Sequence, residues 1–264
     1  SRFLPVSWAR RCYKRQGFMV CNSAEFQRQV ELQFSDEAIT KNTDYVKVVA
    51  YTNMAVSAWN KFIREAIIKD SEKSVITKND LITSYITLVN EFKETIIRNS
   101  EDYIVRDIAN YTHPKYDIKG FMVKFQAVHG GQVTSPLFVL DHRDAYSIKR
   151  YCQICNDLIE QAKNASKQVR AAKWKKYFEF RESCLILINF VKNDGTVLHY
   201  RNLDYGFSVT AHKSQGSTYN VSMVDVNDIV YDKNGHPYNN AKDINRRLYV
   251  AVSRAKEKVI LRYG

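Results

Sequence analysis

Three groups of hydrogen-bond donors stand out in the sequence, and each suits the holding of phosphate oxygens. The first is the run Ser208-Val-Thr-Ala-His-Lys-Ser-Gln-Gly-Ser-Thr218. It crowds the imidazole of His212, the ammonium of Lys213, the hydroxyls of Thr210 and Ser214, the amide of Gln215 and the backbone of Gly216 into one turn. Donors placed where a strand ends form a surface for gripping phosphates. The second group is Thr52 and Asn53, between a valine-rich run and an amphipathic stretch. A helix that starts there offers free backbone N–H groups to an anion, and the two side chains add donors. Either residue also reads simply as an N-cap. The third group is Arg247 and Arg254, seven residues apart and so on one face of a helix. Taken alone, Arg254 is a cation offsetting the macrodipole at a helix C-terminus. Arg247 alone is a surface partner for an acid, and His212 alone a structural hydrogen-bonding residue.

The elements that must position these groups can be read from periodicity. Val46–Tyr51, Gly206–Ala211, Val221–Val226 and Lys258–Arg262 are short apolar runs, as in buried parallel strands. After Thr52-Asn53, residues Ala55, Trp59, Phe62, Ile63, Ala66 and Ile67 make one helical face. Asp243–Ser253 reads as a helix, and 227–241 as an exposed loop. Residues 23–40 read as a further helix, with Ser23 as a possible N-cap and Phe26, Val30 and Phe34 at i, i+4 and i+8. Between 78 and 140, short β-branched and aromatic segments alternate with Asn, Asp, His-Pro and Gly-Gly, the pattern of an antiparallel β unit. Residues 144–183 are helical in pattern, and Leu185–Val191 with Thr196–Tyr200 flank an Asp-Gly hairpin signal. Within the helical part, Lys163, Lys167, Arg170, Lys173, Lys175 and Lys176 precede or surround Trp174, Tyr177, Phe178 and Phe180. Basic residues with aromatics suit single-stranded nucleic acid; equally, the segment reads as a solvated basic helix end whose aromatics are core.

The motifs themselves carry a resemblance. TAHKSQGST (210–218) resembles motif V, and LYVAVSRA (248–255) motif VI, of superfamily 1 nucleic-acid helicases, in the branch that includes RecD and the phage helicase Dda. VVAYTNMAVSAWNKFIREAI (48–67) is similar to the segment that opens the second RecA-like domain in that branch. The resemblance implies an α/β fold: a RecA-like, P-loop-NTPase-type domain with a parallel sheet, interrupted by an inserted small β-barrel-like unit and a helical segment. On that basis residues 1–45 are a connection from a first RecA-like domain, 46–75 and 185–264 the second RecA-like domain, and 76–184 the insertion. It implies that Thr52, Asn53, Thr210, His212, Lys213 and Ser214 hold the phosphate backbone of single-stranded DNA, a contact that is largely blind to base sequence. Gln215, Gly216, Arg247 and Arg254 are then nucleotide-binding, with Arg254 the catalytic arginine finger that meets charge on the γ-phosphate. Many relatives carry Glu two residues after the motif V glycine; Thr218 stands here and offers no carboxylate to a ribose.

No GxxxxGK[ST] loop and no acidic magnesium-site strand of the Walker B kind occurs in the sequence. The expectation is therefore the C-terminal portion of an ATP-dependent DNA helicase, an ATP hydrolase as a whole; the resemblance to the branch implies movement 5′→3′ on single-stranded DNA. ATP and Mg2+ would be bound mainly by the first RecA-like domain of the same full-length chain. Alone, the portion would neither hydrolyse ATP nor unwind duplex. Three other readings stay open: a nucleic-acid-binding module that has lost its motor, a fragment of a viral-type RNA helicase, and an accessory subunit docking on a separate ATPase.

The formal net charge of +12 favours a polyanionic partner. No apolar run is long enough to span a bilayer and no signal-peptide pattern opens the chain, so the expectation is a monomer in the cytoplasm of a bacterial or phage-infected cell, neither secreted nor membrane-bound. The five cysteines suggest reduced thiols. Cys152-x-x-Cys155 has only half of a zinc spacing and sits in an apolar helical pattern, so these cysteines read as core residues and no metal site is assigned. The opening basic cluster, Arg2, Arg10, Arg11, Lys14 and Arg15, reads as a severed connection or as an arm on DNA.

Overall fold

The computed structural model describes residues 17–36, 39, 42–68, 71–192 and 194–264. In chain order the elements begin with β1 (Gly17–Cys21), α1 (Ser23–Phe34), β2 (Val46–Ala50) and α2 (Asn53–Ile67). There follow β3 (Leu81–Ser84), β4 (Leu88–Val89), β5 (Thr95–Ile97), β6 (Asp102–His113), β7 (Ile118–Ala127), β8 (Leu137–Leu140), α3 (Ala145–Lys163) and α4 (Lys167–Ser183). The last are β9 (Phe190–Val191), β10 (Val197–His199), β11 (Leu203–Tyr205), β12 (Ser208–Thr210), β13 (Tyr219–Asp225), α5 (Val226–Val230), α6 (Ala241–Ser253) and β14 (Ala255–Arg262). The described residues form two compact units, one from 17–68 together with 206–264, the other from 71–205.

The first unit is built on a five-stranded sheet of order β1-β14-β13-β2-β12, in which every described pairing is parallel. The α/β class with a parallel sheet expected from the valine runs is thus what the chain adopts. All of β2 is buried, because helices cover both faces. On one face Val49, Val209, Val224 and Val259 pack with Leu248, Ala251 and Val252 of α6. Alternate strand residues point to the opposite face, where α2 lies along β2 and β12. There Asn60 Oδ1 accepts from Ser208 N–H at 2.7 Å, tying α2 to the edge strand β12. Helices α1 and α2 meet through Phe26 and Trp59, edge to face at 5.3 Å.

Several sequence expectations shift. The cap of α1 is Asn22, whose side chain accepts from Glu25 N–H at 2.9 Å, rather than Ser23; the apolar face of Phe26, Val30 and Phe34 is as the spacing predicts. The helix ends at Phe34, and its predicted extension reaches residues outside the described ones. The basic cluster from Arg2 to Arg15 also lies outside the described residues. Residues 17–34, read as part of a connection, instead supply an edge strand and a helix of the first unit. The start of the stretch read as a loop belongs to the short helix α5, which Asp225 caps from the end of β13.

The second unit carries a five-stranded antiparallel sheet of order β11-β3-β6-β7-β8. Its long β6–β7 hairpin brings Gly120 against β8, where an added Cβ would run into the Val139 carbonyl and the Phe138 ring. Residues 185–205, assigned from sequence to the RecA-like domain, belong here: Leu185, Leu187 and Leu203 join this unit's core, and β11 pairs with β3. The Asp-Gly hairpin is present as β9 and β10, with Gly195 in the left-handed region at φ +82°. Helices α3 and α4 pack together over Ile118, Phe138 and Leu140. Cys155 and Cys184 are buried in that core, and desolvation pushes both thiols up to about 12. Among the described residues no helix is long and apolar enough to cross a membrane, and no group of three or more His, Cys, Asp or Glu is placed to hold a metal ion.

His199, 2% exposed, lies edge-on to Tyr151 at 5.7 Å with neither ring nitrogen hydrogen-bonded. Burial first, and the Arg181 charge second, lower its pKa to about 4 from 6.5. The unfolded chain therefore takes up a proton between those values that the folded chain refuses. The His199 contribution to stability is full above pH 6.5, falls as the pH drops towards 4 and levels off below, by up to about 3 kcal/mol. His199→Gln should flatten this slope in urea titrations across the window; a slope equal to the parent's would assign the acid sensitivity elsewhere.

Candidate functional site

The turn between β2 and α2 is local in origin. Thr52 has extended backbone and its Oγ1 accepts from Ala55 N–H at 3.1 Å, so it is the N-cap of α2. What the sequence reading missed is a carboxylate placed over the same turn. Asp228, in the first turn of α5, accepts from the N–H groups of Tyr51 (2.6 Å) and Thr52 (2.7 Å) and from the Thr52 hydroxyl (2.7 Å). An anion of the protein itself thus takes the N–H groups of Tyr51 and of the cap Thr52, and Thr52 Oγ1 takes that of Ala55 in the first turn of α2. Asn53 stays exposed beside them. A neighbouring carboxylate makes a second tie: Asp225 Oδ2 accepts from Trp59 Nε1 and from Arg262 Nη1, both at 2.8 Å.

The motif turn after β12 closes on itself. Thr210 Oγ1 accepts from Lys213 N–H (3.1 Å) and Ser214 Oγ donates to the Ala211 carbonyl (2.8 Å). Ser214 is buried and Lys213 half-buried, while His212, Gln215 and Gly216 are exposed. Gly216 has φ +90° with open space around it, so backbone conformation rather than crowding calls for glycine there. The turn starts at the C-terminal edge of the sheet and returns the chain to the start of β13, so it runs beside α6, which descends on the same face to β14.

That side-by-side arrangement separates the two arginines. At the upper end, His212 and Gln215 line a cavity of about 330 Å³ with Tyr51, Asp243, Arg246 and Arg247. The Arg247 guanidinium stacks 3.6 Å over the Tyr51 ring, which itself meets Tyr238 edge-on at 5.2 Å. Its Nη1 is buried without a hydrogen-bond partner, and among the described residues neither Arg246 nor Arg247 pairs with a carboxylate. The Asp243 carboxylate accepts from Asn240 Nδ2 at 2.8 Å. Tyr238 reaches this place because its N–H donates to the Val230 carbonyl and an isolated bridge joins Tyr231 to Pro237; burial, then the Asp228 charge, push its phenol pKa up.

At the lower end, about 10 Å along the helix, Arg254 is half-buried at the C-cap of α6. Its guanidinium donates to the carbonyls of Val250 (3.3 Å) and Ser217 (3.4 Å) and to Ser253 Oγ (3.0 Å). All three are neutral acceptors, so the charge itself is not matched by a carboxylate among the described residues. That environment fits a phosphoryl oxygen. Ser217 lies at this end, whereas Gln215 and Arg247 stand with His212. Gln215, Gly216, Arg247 and Arg254, grouped as nucleotide-binding by the resemblance, are therefore divided between the two ends.

No family model matches the chain. It is 38% identical over 60 residues, 23% of its own length, to a protein of Acanthamoeba polyphaga mimivirus described as "Uncharacterized protein R530", of which it spans 11%. In structure it is similar to the Pif1 helicase from Candida albicans, at 16% identity and TM-score 0.42, covering 90% of this chain and 49% of that one. It is also similar to a Pif1 helicase from Bacteroides in complex with ADP-AlF3 and ssDNA, at 12% identity and TM-score 0.40, covering 91% and 45%. The chain thus spans about half the length of these helicases.

The cage of Tyr51, Tyr238 and Arg247 had no local signal, since its members lie far apart in the chain. Asp228 had a faint one: Asp225 and Asp228 follow a buried strand at the spacing of a cap and a first-turn acid. Asp228→Ala should destabilise the protein by about 2–4 kcal/mol, because it strips partners from two N–H groups and a hydroxyl at once. Asp228→Asn should restore part of this. Urea unfolding of the three proteins is the check, and an unchanged midpoint for Asp228→Ala would deny the clamp any energetic role.

Proposed function

We propose that the chain is the C-terminal portion of an ATP-dependent DNA helicase of superfamily 1, in the branch that includes RecD and Dda. In this reading it grips single-stranded DNA through phosphates and supplies an arginine finger, and the full-length protein steps 5′→3′. The observation that carries the proposal is the convergence of His212 and Gln215 with Arg246 and Arg247 around one cavity, with a buried guanidinium nitrogen left without a partner. A cation backed by an aromatic ring and not ion-paired with a carboxylate is suited to a phosphate, and phosphate contact needs no base sequence.

The residues divide by what they touch. His212, Arg247 and the exposed Asn53 are the direct phosphate contacts of this reading, whereas the Lys213 Nζ is buried and adds its charge from behind the turn. Thr52, Thr210 and Ser214 hold the turns that present them. Arg254, beside Ser217, is the group that would stabilise charge on a γ-phosphate. ATP and Mg2+, held mainly by the first RecA-like domain of the same longer chain, would supply the phosphoryl group and its counter-charge. Because the motif turn runs from the His212 end to the Ser217 end, it is a physical link between DNA grip and nucleotide state.

Fluorescence anisotropy with an oligothymidylate tests the grip. Arg247→Ala combined with His212→Ala should weaken binding at least about tenfold and reduce its salt dependence, since each lost phosphate contact removes roughly 0.7 from the log–log slope. Arg254→Ala should leave binding within about twofold, while lowering DNA-stimulated ATP hydrolysis of the longer protein by about a thousandfold or more. Unchanged binding in the double variant would remove the phosphate-gripping role from this cavity.

A further inference from the structure

Helix α4 presents a face that the proposed motor edge does not use. Of its 17 residues only Phe180 is buried. Trp174, Tyr177 and Phe178 stand at i, i+3 and i+4 and so share one side of the helix. Their rings touch: the centroids of Tyr177 and Phe178 are 5.3 Å apart, those of Trp174 and Tyr177 5.8 Å, and those of Trp174 and Phe178 6.3 Å. Phe178 is 55% exposed and Trp174 half-buried, while Tyr177 leans on the core cluster that holds Tyr151 and Phe180. The sequence alternatives had been a nucleic-acid contact or aromatics turned to the core. The structure divides them, with Phe180 inside and Trp174 and Phe178 at the surface.

Cations continue the same stripe. Arg170 and Lys167 precede Trp174 by four and seven residues, and the Arg170 guanidinium is steadied by the Ala165 carbonyl at 3.1 and 3.3 Å. Lys173 and Lys176 flank the rings, and Lys175 meets Glu179 at 3.8 Å. No acid occurs from Lys163 to Phe178. A merely solvated helix end gives no reason to keep a cluster of aromatic rings in water. The ligand that matches a ring cluster edged with cations offers flat π faces and regularly spaced negative charges. Single-stranded nucleic acid offers both, whereas a duplex hides its base faces in the stack.

We infer that the Trp174–Phe178 ridge of α4 is a second, base-stacking surface for single-stranded nucleic acid, carried by the unit that does not hold the strand-end cavity. It stands independently of the helicase reading.

The whole chain should be titrated with labelled oligothymidylate and with a duplex of the same length. Trp174→Ala with Phe178→Ala should weaken single-strand binding about tenfold or more while leaving the salt slope unchanged, as expected for lost stacking. Trp174→Phe with Phe178→Tyr should stay within about threefold of the parent. Lys173→Glu with Lys176→Glu, both at the surface of the helix, should lower the salt slope by about 1–2 and carries the test if the alanine variant loses helix by circular dichroism. Ultraviolet crosslinking should attach the oligonucleotide to the peptide holding Trp174 and Phe178. The inference is overturned if the ridge variants bind within about twofold of the parent while the His212/Arg247 variant loses affinity. It is equally overturned if the ridge variants change only self-association in sedimentation, which would make the ridge a contact between copies of the chain.

Discussion

The Asp228 carboxylate accepts three hydrogen bonds from the turn after β2, and much of the first unit's upper edge follows from them. Asp228 comes after β13, so the clamp joins the ends of two neighbouring parallel strands. It fixes Tyr51, whose ring then supports Arg247 on one side and Tyr238 on another. Charge-assisted hydrogen bonds to backbone N–H groups are among the stronger ones available to a protein. A phosphate could displace this carboxylate only by replacing all of them. The clamp takes one backbone donor at the N-terminus of α2, that of Thr52, while the cations of the edge come from α6.

Helix α6 carries its arginines at two depths. Arg247 opens on the strand-end cavity, and Arg254 lies two turns lower among neutral oxygens beside the returning motif turn. The motif turn runs parallel to the helix and has one residue group at each depth. Under the proposed function, this division would let one short segment respond to DNA at one end and to nucleotide at the other, provided the helix is rigid over those two turns. Leu248, Ala251 and Val252, packed on the sheet, give it that rigidity.

Local features were legible in the sequence, and distant pairings were not. The valine-rich strands announce a parallel sheet because both faces must be apolar, and Thr52 announces a cap because the cap bond spans only three residues. Asp228 and Tyr51 are separated by 177 positions, and nothing in either neighbourhood encodes the other. β11 is three residues long, too short for its pattern to reveal whether it belongs with the strands before or after it, and the boundary between units was misplaced accordingly. On α4, spacing places Trp174, Tyr177, Phe178 and Phe180 on a helix but cannot say which side meets the core. That choice is made by α3 and the sheet beneath it. The two arginines share a helical face, and periodicity alone gave no sign that the face ends in two different places.

In the proposed function, phosphate enters at Arg247 and His212 while the Asp228 clamp stays closed. Nitrogen–proton correlation spectra during titration with oligothymidylate read both places at once. The Arg247 Nε–Hε signal and the His212 ring should shift and saturate together, with the Tyr51 and Thr52 amides scarcely moving. Large shifts of those two amides with Arg247 unmoved would mean that phosphate displaces Asp228 from the turn, and would contradict the account.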